Sequence, residues 1–237
     1  MKLAEAMENM INWVKMFPES RTDEMTQIVQ QGVSKGWYLN EVFLFALYRD
    51  FKEEDNLDEF LEYQITSQWE DFWGTLFRLC PKREEILNEA KLAYENKLYG
   101  SAIHVFFSQT DGIFHDKFGT NFYVSRGKKA EAEFGSYLTE FISRGAFEIL
   151  IEQYKDASVF RRMYNEVYKE GFSITCTDSV RDTAKISNES DLVMPNRHGV
   201  LHGSHTKYGS KTNALKCFSL LLFVIYAIYG DEAHENM

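Results

Sequence analysis

The stretch NALKCFSLLLFVIYAIY, residues 213–229, is apolar on nearly every side when it is drawn as a helix. Such a helix is buried all round, because none of its faces is suited to water. Its longest uninterrupted apolar run is ten residues, Leu220 to Tyr229, which is about half of what a bilayer requires. The stretch therefore predicts the central helix of an all-α core and not a membrane span.

Helical periodicity continues outward from this stretch over much of the chain. Residues 83–98 and 101–114 predict two consecutive helices with a turn near Gly100. Residues 134–150 carry a wide apolar stripe with a helical period. Only three prolines interrupt the chain, which favours helices further. The predicted fold class is an all-α helical bundle.

A different organisation is predicted at the N-terminus and ahead of the apolar helix. The first 80 residues read as several short helices, and Cys80–Pro81 is the best candidate boundary. We predict an N-terminal helical region, residues 1–80, and a helical-bundle domain, residues 81–237. A further helix is expected over 157–168, and the polar residues 171–191 predict a long loop, which in a compact domain is usually functional or mobile.

Composition narrows the class of protein. A hydrophobic content of 44% excludes a disordered chain. A net charge of −10 argues against a protein that coats nucleic acid nonspecifically, since that requires many lysines and arginines. The three cysteines have no CxxC spacing and predict free thiols. The N-terminal MKLAEAMENM has acids where a signal peptide needs an apolar core, so a cytoplasmic protein without membrane association is expected.

Charge is distributed unevenly. No Asp or Glu occurs between Leu192 and Gly230, so that segment carries +4 and the remainder of the chain −14. The four basic residues of the segment are Arg197, Lys207, Lys211 and Lys216. A locally basic segment in an acidic protein can hold an anion. A buried terminal helix that excludes acids explains the same pattern, and the sequence leaves both interpretations open.

The histidine and arginine side chains best suited to catalysis lie just before the apolar helix, in MPNRHGVLHGSHTKYGSK, residues 194–211. Cleavage of a phosphodiester by its own 2′-hydroxyl requires a base, an acid and a cation beside the nonbridging oxygens. Histidine serves as base or acid, and the arginine fork matches two phosphate oxygens. RHGVLHG supplies all of these groups, and its glycines at 199 and 203 leave room for a substrate or a second subunit.

The relative placement of the arginine and the histidine constrains such a site. Pro195 suits the first turn of a helix. On an ideal helix Arg197 and His202 are about 140° out of phase. They converge only through the long arginine side chain, a distorted turn, or pairing across a dimer. This spacing favours a site shared by two protomers.

A metal site is the alternative for the same stretch. His198, His202 and His205 are spaced i, i+4 and i+7, which places three imidazoles on one face of a continuous helix. The glutamate of an HExxH motif is missing, because Gly199 follows His198. Glycine also weakens the helix that would align the ligands. We therefore predict no metal and no cofactor, and keep a His-rich metal protein as the second alternative.

RHGVLH, residues 197–202, resembles the R-x4–6-H motif of HEPN domains (higher eukaryotes and prokaryotes nucleotide-binding). In that family the residue after the arginine is usually Asn, Asp or His, and here it is His198. SAIHVFFSQTDGIFHD resembles the second helix of a defence-associated branch of the family. NRHGVLHG, followed by YGSKTNALK and an apolar helix, resembles its closing unit. The resemblance covers residues 82–230.

The resemblance implies a helical bundle that dimerises so that two motifs face each other. It implies a metal-independent endoribonuclease that leaves a 2′,3′-cyclic phosphate, in a toxin or anti-phage defence role. Arg197 would hold the scissile phosphate, His202 would carry the proton, and His198 would be the polar partner of the arginine. RNA and a second copy of the chain are the expected partners, and an antitoxin or a regulatory protein would be a further one. Some family members lack nuclease activity, so a non-catalytic nucleotide- or protein-binding module is the first alternative.

Further residues complete the predicted site. The candidate substrate contacts are Asn196, His205, Lys207, Tyr208 and Lys211. Asp111 and His115, four residues apart on a predicted helix, are candidate supporting residues, since a carboxylate can orient an imidazole. A helix end with solvated polar groups explains them equally simply. His104 lies among apolar residues and is predicted to be a packed core histidine.

Overall fold

The computed structural model describes residues 27–28, 31–32, 34–52, 54–119 and 194–229. Within these ranges the chain forms helices joined by turns and no strand, which confirms the predicted all-α class. The helices are α1 Glu41–Asp50, α2 Leu57–Ser67, α3 Trp69–Leu79, α4 Glu84–Glu95, α5 Tyr99–Phe118, α6 Arg197–Leu201 and α7 Lys211–Tyr229, with a 3-10 helix at Pro81–Arg83. The helices predicted over 134–150 and 157–168 and the loop 171–191 lie outside the described residues.

Helix α7 is the centre of the fold, as its sequence predicts. Every residue from Ala214 to Tyr226 is buried. Ser210 caps the start of this helix, because its Oγ accepts the backbone N–H of Asn213 at 3.1 Å. Within the described ranges no helix, α7 included, is both long enough and apolar enough to cross a membrane.

The long helices α5 and α7 pack side by side and run in the same direction. Near their starts, Tyr208 precedes α7 and lies against Gly100 of α5. Midway, the Phe106 and Phe218 rings are 5.3 Å apart. This direction places the chain just ahead of α7, which contains the motif, beside the N-terminal end of α5.

Most of the described aromatic residues between Trp37 and Phe77 belong to this core. Phe218 of α7 lies 5.0 Å from the Trp69 ring and stacks on Trp73 at 5.1 Å. Trp37, Phe43 and Phe72 are 1% exposed or less. These aromatic side chains are therefore core residues. Residues on both sides of Cys80 share one core, and a separate 1–80 region stays a prediction.

The 3-10 helix is joined to α5 by one arginine. Arg83 donates to Gln109 Oε1 at 2.9 Å, to the Gly112 carbonyl at 2.8 Å and to Asp116 Oδ2 at 2.9 Å. The guanidinium lies so close to α5 that a Cβ on Gly112 would stand 2.4 Å from its Nη1. Gly112 is thus required for the close approach of Arg83.

One helix boundary differs from the prediction in detail, and a second break lies in a stretch for which no helix bounds were predicted. The turn expected near Gly100 lies at residues 96–98, and α5 already begins at Tyr99. Lys97 takes the left-handed conformation there, with φ 63°. The apolar stretch after Asn56 is broken at Gln68 into α2 and α3. Both breaks are short turns, and the spacing of the apolar residues does not reveal them.

The position of Phe218 between Trp69, Trp73 and Phe106 gives a test of the core. We expect Phe218→Ala to lower the free energy of unfolding by about 3–5 kcal/mol, because the site is enclosed and leaves a cavity. Urea denaturation followed by circular dichroism measures it. Tyr63→Ala, at a side chain that is 65% exposed, is the control and should stay within about 0.5 kcal/mol of the wild type. Equal losses in the two variants would contradict this description of the core.

Candidate functional site

The motif helix α6 begins at a buried asparagine cap. Asn196 Oδ1 accepts the backbone N–H of Gly199 at 2.9 Å, as an N-cap side chain does for the third helical residue. Asn196 is 1% exposed. The structure therefore places this predicted substrate contact inside the protein, where it caps the helix. Arg197 is the first helical residue and is partly exposed, and His198 is the second.

The same helix ends before the histidine of the motif. Gly203 has φ 73°, and its N–H donates to the Val200 carbonyl at 3.2 Å, which is a common way to end a helix. A Cβ on Gly203 would meet nothing within 4 Å. Gly203 is thus needed for its left-handed backbone, and not for a close approach by another part of the described chain.

Arg197 and His202 consequently stand at the two ends of a five-residue helix. His202 lies in the turn beyond Leu201 and is exposed. The phase angle of an ideal helix does not apply to it, because the distorted turn that the sequence left as one option is present.

The other side of α6 is anchored in the core. Gly199 and Val200 are buried, and α6 packs against α5. Pro195 and Met194, which precede it, are buried as well. The backbone that carries Arg197 and His202 is therefore held by the packed interior, while His202 is exposed and Arg197 is partly exposed, with its Nε atom buried.

The residues between α6 and α7 fold back onto the start of α5. His205 is 6% exposed, and its backbone N–H donates to the Gly199 carbonyl at 2.9 Å. Its ring lies 5.6 Å from the ring of Tyr208, which in turn lies 5.7 Å from the ring of His104. The structure thus places His205 in the interior and not on a path open to substrate. His104, predicted to be a packed core histidine, is only half-buried, and its ring packs against the motif segment.

Two of the four basic residues in the acid-free segment are paired with acids from α2. Lys211 Nζ is 2.9 Å from Glu62 Oε2, and Thr212 Oγ1 donates to the same carboxylate. Lys216 Nζ lies 3.9 Å from Asp58 Oδ1. The local positive charge is therefore balanced along α7. Lys207 is exposed within the motif segment.

Asp58 and Glu62 are residues that the sequence analysis missed. They stand four apart in DNLDEFLEYQ, so they share one face of α2. Burial would raise the pKa of Asp58, but the Trp37 N–H at 2.7 Å and the nearby Lys216 and Lys35 lower it overall. The signal in the sequence was the pair of acids at helical spacing, matched by two lysines five residues apart.

The candidate supporting residues lie farther along α5. His104 faces Tyr208, whereas Asp111 and His115 follow it by about 10 and 16 Å of helical rise. His115 is exposed and Asp111 is half-buried. The structure therefore does not bring these two residues to the Tyr208 end of α5.

The metal alternative depended on a continuous helix through residues 198–205, and this helix does not form. It stops at Leu201, with His202 exposed beyond it and His205 buried. Among the residues that the structure describes, no group of three or more histidine, cysteine, aspartate or glutamate side chains could hold a metal ion.

No protein family model, no curated protein and no solved structure matches this chain. The resemblance to HEPN domains therefore rests on residues 197–202 and their neighbours, and stays a hypothesis.

Burial of His205 predicts a dependence of stability on pH. Burial lowers the pKa of its imidazole below the ordinary value of 6.5. As the pH falls below about 6.5, the unfolded chain binds a proton at this residue that the folded chain does not, so the free energy of unfolding decreases. The decrease ends once the pH is below the folded pKa. We expect His205→Gln to weaken this dependence.

Urea denaturation at about pH 8 and about pH 5.5 measures the effect. His202→Gln is the matched control, because this imidazole belongs to the same segment and lies on the surface. It should show the wild-type difference between the two pH values. A wild-type difference in His205→Gln as well would refute the assignment of the pH dependence to His205.

Proposed function

We propose that this chain is a metal-independent endoribonuclease of the HEPN type that acts as a homodimer in a toxin or anti-phage defence role. The observation that supports it is the arrangement of Arg197 and His202. His202 is exposed, Arg197 is partly exposed with its Nε atom buried, and the two residues flank a short helix whose opposite side is buried. A guanidinium and an imidazole on an anchored backbone are groups of the kind that cleavage of RNA by its own 2′-hydroxyl requires.

In the proposed reaction a base removes the proton of the 2′-hydroxyl, and the 2′-oxygen attacks phosphorus. The bond from phosphorus to the 5′-oxygen breaks, and an acid protonates that leaving oxygen. The products are a 2′,3′-cyclic phosphate and a 5′-hydroxyl. Arg197 neutralises charge on the nonbridging oxygens, which a planar bidentate fork does well. His202 carries the proton in one of the two transfers.

Two protomers supply what one motif lacks. Arg197 of one chain and the exposed His202 of the other chain would act on the same phosphodiester. A two-fold axis beside α6 brings two copies of the motif together, as an isologous interface does for any surface patch. Leu201, next to His202, is 40% exposed and is an apolar side chain suited to such a contact.

The balance of charge shapes how RNA is expected to bind. Lys211 and Lys216 are engaged by Glu62 and Asp58, and the chain carries −10 overall. Attraction of a polyanion is therefore expected mainly at the motif segment, where Lys207 is exposed. We expect a few phosphate contacts at the motif and a correspondingly shallow dependence of binding on salt.

The proposal predicts cutting of RNA in the presence of EDTA, with no cutting of DNA of the same sequence, because DNA lacks the internal nucleophile. His202→Ala should lower the rate by about 10²–10⁴-fold, the range for loss of a proton carrier. Arg197→Ala should lower it comparably. Mapping of RNA termini after incubation with total RNA measures the rate and identifies the cyclic phosphate.

Arg49→Ala, at an exposed arginine paired with Asp50 on α1, is the matched control and should cut like the wild type. Circular dichroism verifies that all variants are folded. Cutting that persists in both motif variants would eliminate this site. A wild type that binds a nucleotide or a protein without cutting would favour the non-catalytic module.

The shared site predicts complementation between the two inactive variants. An equal mixture of Arg197→Ala and His202→Ala protomers contains about half mixed dimers by chance. A mixed dimer retains one Arg197 and one His202 on different chains, so cutting should return after subunit exchange. Sedimentation should show a dimer for each variant alone. No recovery from exchanged dimers would indicate that both residues act within a single protomer.

A further inference from the structure

Tyr208 connects the motif segment to α5. Its ring covers Gly100, where a Cβ would lie 3.5 Å from the Tyr208 Cε2 atom. The next residue, Gly209, brings its backbone equally near, since a Cβ there would lie 3.5 Å from the Gly100 nitrogen. The Tyr208 carbonyl accepts from Asn213 Nδ2 at 3.0 Å. This tyrosine is therefore held on one side by α5 and on the other by the first turn of α7.

The hydroxyl of Tyr208 meets a histidine of fixed tautomer. His104 Nδ1 lies 2.9 Å from the Gly100 carbonyl and 3.3 Å from Tyr208 Oη. A carbonyl oxygen only accepts, so Nδ1 carries the proton. The same N–H therefore points between the two oxygens, and it ties the tyrosine to α5 by a weak polar contact in addition to ring packing.

From Tyr208 the contacts lead back to the turn that carries His202. The buried His205 ring lies 5.6 Å from the Tyr208 ring, and the His205 N–H donates to Gly199 of α6 at 2.9 Å. His202 stands between these fixed points, three residues before His205. Its backbone is thus held from α6 on one side and, through His205 and Tyr208, from α5 on the other.

We propose that Tyr208 is a positioning residue of the site, which holds the His202 turn in place by packing between Gly100 of α5 and His205. This inference rests on the proposed endoribonuclease function. It replaces the earlier prediction that Tyr208 contacts substrate. A substrate contact and a positioning residue differ in kinetics, because loss of a contact raises KM whereas misplacement of a proton carrier lowers kcat.

Two variants remove the packing from opposite sides. Tyr208→Ala deletes the ring, and Gly100→Leu introduces a side chain into the space that the ring occupies. We expect each to lower kcat by about 10- to 100-fold with KM within about twofold of the wild type. Both should weaken protection of the His205 amide in hydrogen exchange, while the amides of the middle of α7 stay protected.

Two conservative variants serve as controls. Tyr208→Phe keeps the ring and loses only the 3.3 Å contact with His104, so its kcat should stay within about threefold of the wild type, as loss of one weak hydrogen bond allows. Gly100→Ala adds a Cβ at an ordinary contact distance, so kcat should be retained. Retained kcat in these two variants would show that the tyrosine ring positions the site. It would also exclude a general instability of α5 as the cause of the losses in Tyr208→Ala and Gly100→Leu.

The outcomes distinguish this inference from the proposed function. If the wild type does not cut RNA, both are overturned. If the wild type cuts and Tyr208→Ala raises KM at unchanged kcat, the endoribonuclease proposal stands and Tyr208 is a substrate contact instead. Unchanged kcat in Gly100→Leu, or unchanged protection of the His205 amide in Tyr208→Ala, would also overturn the positioning role.

Discussion

Burial of α7 on all sides is the constraint on which the rest of the described structure depends. A helix without a face for water must be covered by several partners, and α5, α2 and α3 supply them. Phe218 shows how completely this is done, with rings of α3 and α5 within 5.3 Å of its centroid. Aromatic rings bring large apolar area to such contacts. The N-terminal aromatics are consequently core residues.

The same burial determines where the motif emerges. Because α7 begins at Lys211 and lies parallel to α5, the preceding residues must pass over the start of α5. The close approach of Gly100 and Gly209 lets the backbone do so. Tyr208 then fills the remaining space beside His104. The location of Arg197 and His202 is thus a consequence of core packing, and the end of α6 at Leu201 leaves His202 exposed beyond it.

Electrostatics adds a second link between the core and the motif. Burial lowers the pKa of Lys216, which the nearby Asp58 partly offsets, and its ammonium lies 5.5 Å from the centre of the Trp37 ring. Glu62 engages Lys211 one turn farther along α2. Acids of α2 thereby match lysines of α7 and set how the two helices align. They also balance two of the four positive charges between Leu192 and Gly230.

The sequence by itself determined the all-α class, the central place of residues 213–229, the succession of α4 and α5, and the grouping of Arg197 and His202 ahead of the last helix. These follow from periodicity and local residue chemistry, which act over a few turns. Only the tertiary structure decided that α6 ends at Leu201, that Asn196 and His205 are buried, that Lys211 pairs with Glu62, and that Tyr208 rests on Gly100 and His104. Each of these contacts depends on which distant segments meet. Burying α7 fixes those meetings through the shape of the whole core, and no local pattern encodes them.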